Sequence, residues 1–245
     1  MLSSLRPLMA KIWQAPAKAL LGAGIHPNTV TIIGTIGVVL GAALFFPRGG
    51  TSLAWGVLVI GIFVMTDMLD GTMARLSGKT SRLGAFLDST LDRVADAAIF
   101  GALAWTFRDD TWTGLGALLC LAIGSFVPYA RAKAESLGVE AAVGIAERSD
   151  RLVLGLGATL AVGLGAPLWV LTIVLWLLAA AAAITVGQRT WRVVLANRED
   201  LAETQDHHRD SLDYQHHPDD APGRPHAEAA RHEDGSGDGE TSAAR

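Results

Sequence analysis

The run from Asp67 to Asp92, DMLDGTMARLSGKTSRLGAFLDSTLD, sets four carboxylates at the margins of two apolar stretches. Asp67 and Asp70 are three residues apart and Asp88 and Asp92 four, so each pair shares one face of a helix. The segment between the pairs is short, which predicts two antiparallel neighbouring helices with all four carboxylates in one place. An aspartate at the centre of a membrane helix costs ~2.5–3.5 kcal/mol on insertion scales, and mutual repulsion adds to that. A multivalent cation removes both penalties. Oxygen-only ligands with no Cys or His nearby favour Mg²⁺, with Mn²⁺ as the alternative, over zinc.

Outward from this run the chain is apolar. Half of its 245 residues are hydrophobic and 18% are charged, too few charges for an ordinary soluble domain. Crossing a bilayer takes about 20 mostly apolar residues. Six stretches meet or approach that length, at residues 30–46, 53–69, 84–105, 112–130, 152–165 and 167–187. The third carries Asp88, Asp92, Arg93 and Asp96, and the fifth is short. Leu5, Leu8, Met9, Ile12 and Trp13 recur at roughly helical spacing among Arg6, Lys11 and Lys18. The expected fold is an all-α integral membrane protein: six transmembrane helices preceded by an N-terminal amphipathic surface helix.

Basic residues gather in alternate connections: Arg75, Lys79 and Arg82 after the second stretch, Arg131, Lys133, Arg148 and Arg151 after the fourth, Arg189 and Arg192 after the sixth. The positive-inside bias then predicts a multi-pass protein of the cell membrane with both termini and the acidic cluster cytoplasmic. Residues 198–245 differ in kind, with 5 Lys/Arg against 13 Asp/Glu and six of the seven histidines. Such a composition predicts a disordered cytoplasmic tail following a membrane domain over residues 1–197. The single cysteine, Cys120, excludes an intrachain disulfide framework and a CxxC zinc site.

The spacing Asp67-xx-Asp70-Gly71-xx-Ala74-Arg75-x₈-Gly84-xxx-Asp88-xxx-Asp92 resembles the complete signature of the CDP-alcohol phosphotransferase family. Pro27-Asn28-Thr29-Val30-Thr31 is similar to that family's PNxxT segment before the first span. The resemblance implies a six-span fold, a homodimer and a polar cavity open to the cytoplasm. It implies Asp67, Asp70 and Asp88 as principal metal ligands, with Asp92 both a ligand and the general base. It also implies donor contacts from Asn28, Thr29, Val30, Thr31, Gly71, Arg75 and Ser81. Asp96 continues the Asp88/Asp92 stripe outside the signature and receives no role.

Beyond the motif, Arg131, Lys133, Arg151 and Arg189 are candidates for a pocket that binds the phosphate of an anionic acceptor. YxRxKAE followed by GIAERxxRL resembles the actinobacterial phosphatidylinositol-phosphate synthase branch of the family. That resemblance implies transfer of a phosphatidyl group from CDP-diacylglycerol to inositol 1-phosphate, releasing CMP, with no nucleic-acid partner. The alternative within the family is glycerol 3-phosphate as acceptor, as in phosphatidylglycerol-phosphate synthases. A cation transporter is the alternative from another class, but it predicts carboxylates near mid-membrane on broken helices.

Overall fold

The computed structural model describes residues 6–78, 81–145 and 147–216, apart from the side chains of residues 6–12, 67, 203, 206 and 208–216. Among the described residues there are helices and turns and no strand. In chain order the helices are α1 (Arg6–Gly22), α2 (Pro27–Phe45), α3 (Thr51–Val64), α4 (Thr66–Ser77), α5 (Arg82–Thr106), α6 (Thr111–Ser136), α7 (Arg148–Gly163) and α8 (Leu168–His216). A single 3₁₀ turn, Phe46–Arg48, joins α2 to α3.

Local chemistry sets the helix starts. Pro27 opens α2, where a missing N–H costs nothing, and His26 Nδ1 accepts from Asn28 N at 3.3 Å. Ser81 Oγ caps α5 by accepting from Gly84 N at 2.9 Å, and Asp110 Oδ1 caps α6 by accepting from Thr113 N at 2.9 Å. Glu147 and Asp150 form a reciprocal capping box at the start of α7.

Four segments among the described residues are long and apolar enough to cross a bilayer: Pro27–Arg48, Thr51–Ser77, Thr111–Ser136 and Leu168–Ala202. The first two correspond to the first two stretches of the sequence, with α3 and α4 running on past Met65. The other two contain the fourth and sixth. The third and fifth stretches are α5, laden with aspartates, and α7, only 16 residues long. Ile33, Ile36, Leu40 and Leu44 are about half exposed on α2, as are Leu58 and Ile62 or more on α3. Lipid solvates such faces. At the end away from the acidic run, Trp105, Trp112 and Trp169 are each more than 60% exposed. Arg108 lies 4.9 Å over the Trp105 ring. That is the pattern of an interfacial aromatic belt.

Inside, α2 packs on α3, α4 and α5, α5 on α6, and α3 on α7. Phe46, Leu53, Ile60, Phe100, Leu103, Leu171 and Leu175 form the main core. α6 meets α8 through Cys120 Sγ, which donates to Leu175 O at 3.0 Å, and Trp176 Nε1, which donates to Trp112 O at 3.1 Å. A smaller core joins α1 to α2 and α4, where Ala17, Val30, Leu69 and Met73 are buried with Trp13, Leu20 and Leu21 packed against them. Most of the side chains that define the expected amphipathic face of α1 lie outside the described residues.

The chain divides into two compact units, Met1–Val194 and Leu195–Arg245. Residues 198–216 are helical, where composition predicts disorder. They continue a helix already nucleated, and Leu201, Ala202 and Gln205 are good helix formers. Residues 217–245 lie outside the described set.

One close approach is set by Gly163. A Cβ there would stand 2.5 Å from the backbone nitrogen of Ala54 on α3. Gly163→Ala is expected to lower stability by about 1–3 kcal/mol through overpacking, read as a reduced melting temperature in detergent. Gly157→Ala, which meets nothing within 4 Å, is the neutral control.

Candidate functional site

α4 and α5, consecutive along the chain, deliver the motif residues. Gly78, at φ 63°, ends α4 in the left-handed conformation that an L side chain rarely adopts, and Ser81 then starts α5. Between these helices and the start of α2 lies a cavity of about 380 Å³. It is lined by Asn28 and Thr31 from α2, Asp70, Gly71 and Arg75 from α4, and Ser81, Gly84 and Asp88 at the start of α5. Arg75 Nη2 donates to Thr72 Oγ1 at 3.1 Å, which steadies its guanidinium. At Gly84 an added Cβ would crowd Ser81 Oγ at 3.2 Å and Asn28 Oδ1 at 3.3 Å. A side chain at this position would make both polar groups shift by a few tenths of an ångström.

Asp92 opens elsewhere. It lines a second, narrow cleft of about 20 Å³ with Thr31, Thr35, Asp70 and Arg148. Asp70, only 6% exposed, therefore lines both spaces, with Asp88 on one side and Asp92 on the other. The side chain of Asp67 lies outside the described residues. Among those described, no three Asp, Glu, His or Cys side chains converge into a closed metal cage. The donor set nonetheless suits a hard divalent ion, since the cavity offers carboxylate, amide and hydroxyl oxygens with no imidazole or thiol.

The residue that motif spacing overlooks is Asp96. Its Oδ2 accepts from Arg151 Nη2 at 2.8 Å, and its Oδ1 accepts from Arg148 Nε at 3.2 Å. Arg148 Nη1 also reaches Asp92 Oδ1 at 2.7 Å. Arg151, 1% exposed, further donates Nη1 to Gly124 O at 3.1 Å, and its Nε has no partner among the described residues. Gly124 makes room for it, since a Cβ there would lie 3.0 Å from the guanidinium carbon. The signal was present in the sequence: Asp96 extends the i, i+4 stripe, and Arg148 and Arg151 are spaced to share one face of α7. Their pairing across more than fifty residues was not.

The expected acceptor residues are distributed less simply than their spacing suggests. Arg189, 6% exposed, donates Nε to Val143 O at 2.9 Å and Nη1 to Val127 O. Arg131 Nε is bonded to Glu135 Oε1 at 2.8 Å on the exposed side of α6. Arg131, Glu135 and Glu147 stand within electrostatic range of Arg189. Lys133 is exposed. Of the expected donor contacts, Val30 is buried in the α1–α4 core and Thr29 is exposed; neither lines the cavity. The reason is helical phase, because Asn28 and Thr31 share a face that positions 29 and 30 do not.

The family model described as CDP-alcohol phosphatidyltransferase matches residues 24–187, the stretch that contains both clefts. The chain belongs to the CDP-alcohol phosphatidyltransferase family. This phosphatidyltransferase is 44% identical over 203 residues to the phosphatidylinositol phosphate synthase of Streptomyces avermitilis, an alignment covering 79% of this chain and 81% of the relative. Its fold is similar to that of the Mycobacterium tuberculosis phosphatidylinositol phosphate synthase solved in complex with manganese and citrate. The TM-score is 0.69 at 36% identity, over 74% of this chain and 88% of that one. The same enzyme solved with CDP-DAG bound gives a TM-score of 0.69 at 37% identity, over 75% of this chain and 94% of that one.

The Asp96 cluster yields a stability prediction for the phosphatidyltransferase. Asp96→Ala leaves the guanidinium of Arg151 buried without its carboxylate, which is expected to cost about 3–5 kcal/mol. The measurement is thermal unfolding in detergent, with Asp109→Ala, at an exposed loop carboxylate, as the control that changes little.

Proposed function

We propose that this phosphatidyltransferase moves a phosphatidyl group from CDP-diacylglycerol to a hydroxyl of inositol 1-phosphate, forming phosphatidylinositol phosphate and CMP. The observation that carries the reading is the cavity, where Asn28, Thr31, Asp70, Gly71, Arg75, Ser81, Gly84 and Asp88 meet although they come from three helices. The Streptomyces relative's name and the CDP-DAG complex of the mycobacterial enzyme support the same acceptor and donor.

In this reading Asp67, Asp70, Asp88 and Asp92 hold Mg²⁺ or Mn²⁺, which when bound supplies Lewis-acid neutralisation of the donor's pyrophosphate. The manganese complex of the mycobacterial enzyme supports that assignment. Asn28, Thr31, Gly71, Arg75 and Ser81 bind the CDP part, with Arg75 as the fixed cation for a phosphate oxygen. Thr29 and Val30 contribute by fixing the turn of α2 on which Asn28 and Thr31 stand. Asp92 takes the proton of the acceptor hydroxyl as its oxygen bonds to the phosphatidyl phosphorus and the bond to CMP breaks. Arg131, Lys133, Arg151 and Arg189 provide the positive field for the acceptor's phosphate. The backbone carbonyls that hold Arg189 orient it without cancelling its charge.

α2, α3 with α4, α5, α6, α7 and α8 are the six crossings, with both termini and the site at the cytoplasmic face. The basic connections and the distal tryptophan belt support that orientation. α1 lies along the membrane surface against α2 and α4, and two copies of the chain form a homodimer.

Purified protein given CDP-diacylglycerol, Mg²⁺ and labelled acceptors is expected to incorporate inositol 1-phosphate; incorporation of glycerol 3-phosphate instead overturns the acceptor assignment. Chelation is expected to abolish CMP release, and added Mg²⁺ or Mn²⁺ to restore it. Asp92→Asn is expected to reduce turnover by about 10²–10⁴-fold, the usual contribution of a general base, while CDP-diacylglycerol binding survives. An active Asp92→Asn enzyme removes the base assignment.

A further inference from the structure

Arg148 and Arg151 occupy the first turn of α7, where the helix dipole disfavours positive charge by ~0.3–1 kcal/mol each. Beside the acidic Glu147 and Asp150 of the same helix start, the carboxylates of α5 offset that cost. One of those, Asp96, is shared between the two guanidinium groups, one oxygen to each. Arg148 then uses a second edge of its planar fork to hold Oδ1 of Asp92 at 2.7 Å. A guanidinium fixed through Nε at one end and Nη1 at the other has little freedom of rotation, and that rigidity passes to the carboxylate it grips. The chain of contacts runs from Gly124 O through Arg151, Asp96 and Arg148 to Asp92. It is buried at its root and open at its tip: the Arg151 side chain is 2% exposed, Asp96 9%, and Asp92 21%.

We propose that Arg148, anchored by Asp96, is a positioning residue of phosphatidyl transfer: it sets the orientation of the Asp92 carboxylate in the cleft shared with Asp70, Thr31 and Thr35. The inference rests on the reading of Asp92 as general base. Asp92 is less than a quarter exposed and stands one turn outside Asp96, and the Arg148 fork ties its Oδ1 to that buried carboxylate. A misdirected base costs turnover more than affinity, because the CDP part of the donor is assigned to Asn28, Arg75 and their neighbours in the larger cavity, which Arg148 does not line. Lysine at this position offers three donors from a single nitrogen on a flexible stem, without the planar Nε and Nη1 edges that fix the two carboxylates relative to each other.

The test uses the full chain in lipid nanodiscs, with Arg148→Gln and Arg148→Lys beside the parent and Asp92→Asn. Arg148→Gln is expected to lower kcat about tenfold or more, within the ~10²–10⁴-fold that a general base contributes. Its KM for CDP-diacylglycerol and for inositol 1-phosphate should stay within about threefold of the parent, the signature of an effect confined to the transition state. Arg148→Lys should recover part of the lost kcat. Melting temperature and CDP-diacylglycerol binding by calorimetry, measured on the same samples, separate lost positioning from lost fold. Three results overturn the proposal: an unchanged kcat in Arg148→Gln; a loss carried by the acceptor KM alone, which makes Arg148 an acceptor contact; or equal losses in both variants that follow the melting temperature. Full activity in Asp92→Asn instead removes the base reading itself, whatever Arg148 does.

Discussion

Negative charge carried into an apolar helical bundle has to be matched, and α5 carries three carboxylates at one-turn intervals on a single face. Their solutions differ with depth along the helix. Asp88, nearest the start of α5, is exposed on the larger cavity. Asp92, one turn further, is partly covered and held by one arginine. Asp96, a further turn in, is buried and held by two. The outer carboxylate is open to ligands, the inner one is committed to structure, and the middle one touches both regimes. An isolated carboxylate at the depth of Asp96 would carry the penalty of several kcal/mol that burial of one ion imposes, so α7 must stand where its first turn can reach α5. That requirement helps hold α7, only 16 residues long, against the bundle, together with Leu152, Leu156 and Ala158 in the main core and the close approach of Gly163 to Ala54.

The other wall of the site depends on a break. α3 ends at Val64 and α4 begins at Thr66, whose Oγ1 donates to Phe63 O at 2.6 Å across the junction. The break lets α4 be built of polar and small residues, Asp70, Gly71, Thr72 and Arg75, while α3 remains almost wholly apolar. A short polar helix makes a weak core of its own. α1 completes it, covering Met73 and Leu69 with Trp13, Leu20 and Leu21. The N-terminal helix thereby supports the helix that carries Asp70, Gly71 and Arg75, and none of its described side chains lines the cavity.

Local features of this arrangement were legible in the sequence. The four aspartates, Gly71, Arg75 and Gly84 lie at fixed spacing, and spacing on a helix determines which residues share a face. The two stretches that read weakly as spans, α5 and α7, are the two that carry the buried ion cluster; charge weakens the apolar signal where function needs it. What spacing does not encode is the partner. Asp92 reads as one of four convergent ligands, and spacing gives no sign that it and Arg148 line a narrow cleft, which shares Thr31 and Asp70 with the cavity that Asp88 lines. Arg148 reads as a loop charge, and its bonds to Asp92 and Asp96 span more than fifty residues. Val30 reads as part of a donor-binding run, but helical phase turns it into the core. The tail from residue 198 reads as disordered by composition, and it remains helical to His216 because helix propagation is less demanding than nucleation.

The arginines make one further distinction that bears on which acceptor the site favours. A guanidinium bonded to a carboxylate shares its field with that partner, whereas one bonded to carbonyl oxygens is oriented and its charge is not offset. Arg131, paired with Glu135, is of the first kind. Arg189, held by Val127 O and Val143 O, is of the second. Arg148 and Arg151 share Asp96, and Asp92 is the further carboxylate in contact with Arg148. Their excess positive charge therefore depends on how much of Asp92 is engaged elsewhere. In the base role proposed for Asp92, its protonation leaves two guanidinium groups facing one buried carboxylate, in surroundings where charge is poorly screened. An acceptor that brings its own phosphate answers that excess, and a neutral alcohol does not. The same cluster that stabilises α5 thus supplies a physical reason for preferring a phosphorylated acceptor, and it does so through residues outside the family signature.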